Sequence, residues 1–210
     1  MKDHGNGLPM TVFLVDDDPS VRRALARLIK SAGYQVQTFV SAREFLDRMP
    51  ETEPACLVLD VRLPGLSGID LQLELQRRNL ILPVIFITGH GDIPMTVKAM
   101  KAGAVDFLPK PVRDTDLLRA IEQALARALH DHAQWDQAKS IQRRVEKLTP
   151  REREVMHWVV RGWLNKQIAS ELGIGEKTIK VHRARVMQKL EVDSVAELVR
   201  LAERAETHKR

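Results

Sequence analysis

The sequence is short of cysteine, of aromatic residues and of long apolar runs, and each shortage excludes something. Cys56 is the single cysteine in 210 residues. An intramolecular disulfide is therefore impossible, and a reducing cytoplasm is the expected compartment. Aromatic residues make up 4% of the chain, so its cores must be aliphatic. The longest apolar stretch, residues 81–88, contains Pro83 and is far shorter than the ~20 residues that span a bilayer. Met1–Met10 has no apolar segment of the kind that leads a secreted chain. No membrane partner is expected. Net charge is also missing from the first part: residues 1–128 hold 16 basic and 16 acidic residues, against 17 and 12 in residues 129–210. A basic C-terminal part suits an anionic partner such as nucleic acid, or is a solvated face. The length allows one large domain or two small ones.

What is present is organised around Asp60. It ends the apolar run Cys56-Leu57-Val58-Leu59 and precedes Val61-Arg62-Leu63-Pro64-Gly65-Leu66-Ser67-Gly68. Such a run reads as a buried strand delivering a carboxylate to a loop, with Pro64 and the two glycines turning the chain. The same design recurs. Residues 1–9 read as a polar leader. Thr11–Val15 is a strand ending in Asp16, Asp17 and Asp18, with Asp18 and Pro19 opening a helix that Gly33 stops. Tyr34–Phe39 alternates as a second strand, and Ser41 to Glu44 is a capping box. Leu57–Asp60, Pro83–Thr88 and Ala104–Leu108 are the remaining strands. Helices are expected around Ile69–Leu75, over Asp92–Ala102 and over Leu117–Ala128. On the Asp92–Ala102 helix, Met95, Ala99 and Ala102 form one apolar stripe and Ile93, Val97 and Met100 another, of which one must face the sheet.

Five strands alternating with five helices predict an α/β, doubly wound, five-stranded parallel sheet. Sites in such sheets form at the carboxyl ends of the strands. Here those ends present Asp16, Asp17, Asp60, Thr88 and Lys110. Clustered carboxylates repel and want a cation, and hard oxygen donors suit Mg²⁺. A carboxylate beside a divalent ion and a lysine is arranged to attack a phosphoryl group. Taken singly, each residue is equally an N-cap or a surface charge.

The stretches Val15-Asp16-Asp17-Asp18, Leu59-Asp60 to Gly68, Ile87-Thr88-Gly89 and Leu108-Pro109-Lys110-Pro111 resemble the flavodoxin-like receiver domain of two-component response regulators, over about residues 10–128. The resemblance implies that Asp60 is the phosphoacceptor for a sensor histidine kinase. It implies that Asp16, Asp17, Asp60 and the backbone carbonyl of Arg62 hold Mg²⁺, that Lys110 pairs with the phosphoaspartate, and that Thr88 and Phe107 are the switch pair. Phe107 stands where many receivers carry tyrosine. A cis Lys110-Pro111 bond is implied, as is a dimer face on the fourth helix, fifth strand and fifth helix.

Leu117 to Leu148 has neither glycine nor proline, and Trp135, Ala138, Ile141, Val145 and Leu148 recur at three and four. Residues 129–147 thus read as a helical linker, either a short coiled-coil seam or a helix packed on its own domain. Thr149-Pro150-Arg151-Glu152 is a strong helix start. A short helix opens at Asn165. The Gly173-Ile174-Gly175 turn leads to a longer helix over Glu176–Leu190, giving a helix-turn-helix pattern. Ser194 to Glu197 opens a last helix reaching Glu206. On the long helix Ile179, Val186 and Leu190 mark the packed face, with His182 near it as a structural residue. The opposite face carries Lys180, Val181, Ala184 and Arg185 and suits a major groove, or is a solvated basic face.

Leu148-Thr149-Pro150-Arg151-Glu152-Arg153-Glu154-Val155, Asn165-Lys166-Gln167-Ile168-Ala169 and Thr178-Ile179-Lys180-Val181-His182 resemble the LuxR-type DNA-binding domain, an all-α helix-turn-helix fold, over residues 148–206. The resemblance implies that Lys180 and Val181 approach bases, with Asn165, Lys166 and Thr178 near phosphates. Ala184 stands where the family often carries a basic residue, between Arg183 and Arg185. Together the two resemblances imply a FixJ-type response regulator: phosphorylation drives a homodimer onto an inverted repeat of double-stranded DNA, and RNA polymerase is the expected partner in activation. Two rivals are a DNA-binding regulator with a vestigial receiver and an aspartyl-phosphate phosphatase. The phosphatase would need a second acid two residues after the nucleophile, where this chain has Arg62, so the chain is expected not to be an enzyme.

Overall fold

Alternate residues of three central strands point to opposite sides of one sheet, and two separate apolar layers result. A computed structural model of the chain describes residues 10–49, 54–80, 82–89 and 93–207. The residues 1–9 and Asp92, read above as leader and helix start, lie outside the described residues, as do the side chains of Ile93 and Met95. The strands are β1 Thr11–Val15, β2 Gln35–Phe39, β3 Ala55–Asp60, β4 Val84–Thr88 and β5 Asp106–Pro109. They pair in parallel in the order β2-β1-β3-β4-β5. Chain order reverses between β1 and β3, which opens a crevice at their carboxyl ends.

On one side, Phe13, Val15, Leu57, Leu59 and Phe86 pack under α2 (Ala42–Arg48), α3 (Gly68–Arg77) and α4 (Ile93–Lys101). On the other, Val12, Leu14, Cys56, Val58, Ile85 and Ile87 pack under α1 (Pro19–Ser31) and the first turns of α5 (Asp114–Glu146). Every residue of β1, β3 and β4 is buried, as parallel strands covered on both faces require. The few aromatics are concentrated: Phe13, Phe39 and Phe45 meet edge to face with centroids 5.2–6.1 Å apart. In α4, Ala99 is buried and belongs to the first layer, whereas Val97 and Met100 are each 44% exposed. The stripe of Val97 and Met100 therefore faces away from the sheet.

The chain forms two units that divide between residues 132 and 133. α5 is one unbroken helix whose first turns belong to the first unit and whose last turns belong to the second. Of the two readings of residues 129–147, the burial of its stripe favours the helix packed on its own domain. Ile141 and Leu148 are each 3% exposed in the core of the second unit, with Val145 packed against it. Three residues of the stripe are thus taken up by their own domain, while Ala138 is half-buried and Trp135 is 48% exposed.

The second unit is completed by α6 (Pro150–Val160), α7 (Asn165–Leu172), α8 (Glu176–Leu190) and α9 (Val195–Thr207). Gly173 ends α7 in the left-handed region at φ 65°, which favours glycine. Of the three predicted capping boxes, only that of Thr149 and Glu152 closes on itself. At Ser41 and Ser194 the serine accepts as expected, but Glu44 and Glu197 take the N–H of the preceding residue, Val40 and Asp193.

Glu152 is also a buried junction. Its carboxylate accepts from the Thr149 N–H at 2.8 Å and from Lys189 Nζ at 2.6 Å, and Lys189 reaches the Lys147 carbonyl as well. One side chain thus joins the start of α6 to the end of α8. The Lys189 bond holds the Glu152 carboxyl below the usual range; burial opposes this and Thr149 adds to it. A depressed folded value gives stability that is present above the ordinary glutamate range and lost as pH falls through the folded value. Glu152→Gln should therefore cost the second unit about 1–3 kcal/mol at neutral pH and flatten the acid limb of its stability profile. All three tryptophans, Trp135, Trp158 and Trp163, lie in this unit. Urea denaturation followed by tryptophan fluorescence reads it selectively, and an unchanged midpoint would count against the junction.

Candidate functional site

Asp16, Asp60 and Lys110 follow or end three strands, and the parallel register brings them to one rim. β1 and β3 pair from Thr11 opposite Ala55 to Val15 opposite Leu59, so Asp16 and Asp60 emerge side by side. Thr88 ends β4 opposite Pro109, and the Lys110 N–H donates to the Thr88 carbonyl at 2.7 Å. The Lys110-Pro111 bond is cis. From there Lys110 Nζ reaches Asp16 Oδ2 at 2.7 Å and Asp60 Oδ2 at 2.5 Å. Ligand oxygens of Asp16, Asp17 and Asp60 lie within 4.8 Å of one another.

Both carboxylates on the lysine are almost wholly withdrawn from water, with Asp16 at 0% and Asp60 at 5% exposure, while Asp17 is exposed. The remaining oxygens have partners too: Asp16 Oδ1 accepts from the Asp18 N–H at 2.9 Å and Asp60 Oδ1 from the Arg62 N–H at 3.0 Å. Burial pushes the Asp16 carboxyl above its ordinary range against the pull of Lys110. Burial alone would lower the Lys110 ammonium; its bonds to Asp16 and Asp60 outweigh this and keep it above its usual value. The rim is thus an acidic oxygen cluster with the Lys110 ammonium bonded between two of its carboxylates. The donor set fits a hard divalent ion such as Mg²⁺, which binds few carboxylates and keeps water on its open side, and the exposed Asp17 leaves such a side. Thr88 is buried at 1% exposure, and Phe107 is half-buried with its ring 6.1 Å from that of Phe86.

Three features of the site escape a reading of residue types. Gly68 is not a turn glycine. A Cβ there would lie 2.3 Å from the Asp60 carbonyl oxygen and 3.1 Å from the Leu59 side chain, so the first residue of α3 rests directly on the strand end. Gly65, at φ 78°, is the turn residue. Asp18 serves twice, since its carboxylate caps α1 by accepting from Ser20 and Val21 while its N–H holds Asp16. Arg22, one of several basic residues on α1, donates to the Asp16 and Asp17 carbonyls.

In the second unit the predicted contact residues share one exposed surface of α7 and α8. Lys166, Thr178, Lys180, Ala184 and Arg185 are exposed, Val181 is 45% exposed, and Asn165 is half-buried. Ile179, Val186 and Leu190 are buried on the far side of α8. Arg183 donates to Asn165 Oδ1 at 3.0 Å and joins the two helices. His182 is half-buried and its Nδ1 is fully buried with no hydrogen-bond partner among the described residues, the setting of a packed side chain.

Comparison with known proteins finds matches for both units. The family described as "Response regulator receiver domain" matches residues 12–122, and that described as "Bacterial regulatory proteins, luxR family" matches residues 146–202. The chain is 51% identical over 192 residues to nodulation protein W of Bradyrhizobium diazoefficiens, covering 91% of this chain and 85% of that protein. It is 45% identical over 194 residues to transcriptional regulatory protein FixJ of the same organism, covering 92% and 95%. The solved structure of response regulator StyR superposes with a TM-score of 0.83 at 50% identity, covering 93% and 99%.

Two outcomes are expected from this geometry. Lys110→Met leaves two buried carboxylates without a cation and should cost the first unit about 3 kcal/mol at neutral pH. The loss should shrink as the pH falls toward about 5, because burial raises the Asp16 carboxyl and, without Lys110, the folded state binds its proton more tightly than the unfolded. Urea titrations at the two pH values, followed by far-UV circular dichroism, test this. Gly68→Ala should destabilise the same unit by about 1–3 kcal/mol through the clash with the Asp60 carbonyl; a neutral result would mean that α3 shifts freely.

Proposed function

The chain belongs to the NarL/FixJ-type response regulators of two-component systems, with a receiver domain and a LuxR-type DNA-binding domain, and from that premise we propose how its own residues carry the signal. Asp60 accepts a phosphoryl group from the phosphohistidine of a sensor histidine kinase. The observation that carries this reading is the rim itself: Asp16, Asp17 and Asp60 gathered within 4.8 Å, with Lys110 bonded to Asp16 and Asp60.

A carboxylate oxygen of Asp60 attacks phosphorus. The new O–P bond forms as the N–P bond of the kinase histidine breaks, and its electron pair returns to the imidazole. Lys110 stays beside the product and offsets part of its added negative charge. Asp16, Asp17, Asp60 and the Arg62 carbonyl would hold Mg²⁺, which neutralises charge on the phosphoryl oxygens during transfer. Thr88, at the end of the neighbouring strand, supplies a hydroxyl for the phosphoryl group, and Phe107 moves with it as the second half of the switch. The chain accepts a group and turns nothing over as an enzyme, because Arg62 offers no acid where a hydrolase needs one.

The equilibrium then shifts toward a homodimer. Val97 and Met100, apolar and exposed on α4, support this reading as residues a second copy could cover. Two copies place their helix-turn-helix units on an inverted repeat of double-stranded DNA, since operator symmetry mirrors protein symmetry. Lys180 and Val181 approach base edges, with Ala184 and Arg185 beside them, and Asn165, Lys166 and Thr178 hold phosphates. The output is activation of transcription through RNA polymerase in the cytoplasm. The working parts are a receiver over residues 10–128, a helical linker over 129–147 and the DNA-binding domain over 148–206. Among the described residues no helix is long and apolar enough to cross a membrane.

Analytical ultracentrifugation with Mg²⁺ and a small phosphodonor tests the switch. The wild type should move from monomer toward dimer and Asp60→Asn should not; a mass insensitive to phosphodonor would favour a vestigial receiver. DNA contacts separate by salt dependence. Lys166→Ala should weaken binding on all sequences and reduce the slope of log K against log salt by about 1. Lys180→Ala should cost about 1–3 kcal/mol of discrimination between operator and random DNA. Fluorescence anisotropy on both DNAs at several salt concentrations measures the two effects.

A further inference from the structure

One charged group at the rim has no part in the scheme above. Arg22 lies in α1, four residues beyond Asp18, whose carbonyl accepts the Arg22 N–H at 3.0 Å. Its guanidinium Nη1 donates to the Asp16 carbonyl at 2.6 Å and to the Asp17 carbonyl at 3.2 Å. Arg23 and Arg27 on the same helix are exposed, whereas Arg22 is half-buried. An arginine on a solvated face keeps its rotamer freedom, and fixing such a side chain costs roughly 2 kcal/mol of entropy. Arg22 is fixed onto the two peptides that carry the predicted metal ligands.

Its charge works against those ligands. A guanidinium beside an acidic cluster repels a divalent cation, so the through-space effect of Arg22 weakens metal binding. Its hydrogen bonds act in the other direction. The carbonyls of Asp16 and Asp17 belong to the peptides that leave these residues, so holding both fixes the directions in which the two side chains leave the backbone. With Asp18 closing the loop on Asp16 Oδ1 and capping α1, the segment from β1 to α1 is held at each successive peptide.

We propose that Arg22 is a positioning residue of the metal site: by binding the Asp16 and Asp17 carbonyls it keeps both carboxylates aimed at a common point with Asp60, and so sets the divalent-cation affinity of the receiver. The proposal rests on the assignment of Mg²⁺ to Asp16, Asp17 and Asp60. Charge and position predict opposite signs when Arg22 is replaced by a neutral side chain. Loss of charge tightens metal binding; loss of position weakens it, and outer partners of metal ligands are typically worth about 10–100-fold.

The test is calorimetric titration of the full chain with Mg²⁺, comparing wild type, Arg22→Gln, Arg22→Met, Arg22→Lys and Asp17→Asn, with far-UV circular dichroism to establish folding. Arg22→Gln should bind about tenfold more weakly than wild type. Arg22→Lys should recover part of the loss, since an ammonium can still donate to a carbonyl. Arg22→Met keeps the aliphatic stem and carries the comparison if Arg22→Gln fails to fold. A folded neutral variant that binds as tightly as wild type, or more tightly, overturns the proposal. Wild-type binding that survives Asp17→Asn, or is absent altogether, overturns the metal assignment, and the role of Arg22 falls with it.

Discussion

Two aspartates withdrawn from water at one rim of a parallel sheet cannot both stay charged without a cation, and Lys110 is that cation. Much of the first unit can be read as the means of keeping the three together. β1 and β3 must be neighbours in parallel register to bring Asp16 beside Asp60, and β5 must end at the same level to send Lys110 back across β4. Helices on both faces exclude water from the strands. The energy of assembly comes from two aliphatic layers. The polar rim contributes specificity of arrangement.

The second unit solves a related problem with a single buried acid. Glu152 lies at 2% exposure and is satisfied by a lysine and a backbone N–H. There the pair ties the ends of two helices, leaving the surface of α7 and α8 rich in unburied cations. Arg144, donating to the Leu190 carbonyl at 2.8 Å, closes the same end of α8 from α5. Charge is spent inward to fix the scaffold and outward to meet an anionic partner.

The strands and the acidic rim were legible because short apolar runs ending in carboxylates leave a plain pattern, and Asp18, Pro19, Thr149 and Pro150 announce helix starts by their chemistry. The linker was harder. Ile141, Val145 and Leu148 have the same spacing whether they face a second helix or their own domain, and burial in the second unit decides it. Gly68 was misread because a glycine in a loop looks alike whether it serves a turn or a close approach. Arg22 and Arg183 were invisible as partners of the site, since a side chain bonding a backbone carbonyl or a neighbouring amide leaves no mark on residue type.

The seat of Gly68 on the Asp60 carbonyl bears on the mechanics of signalling. Asp60 stands at the end of a strand bonded to neighbours on both edges, with a helix pressed on its backbone without the clearance of one methyl group. Such a mount leaves the Asp60 backbone little room to shift. Compliance lies elsewhere on the rim. β5 is an edge strand with one partner, and Val97 and Met100 on α4 are exposed. Under the proposed phosphorylation of Asp60, the give would lie two strands away at β5 and on the outer face of α4.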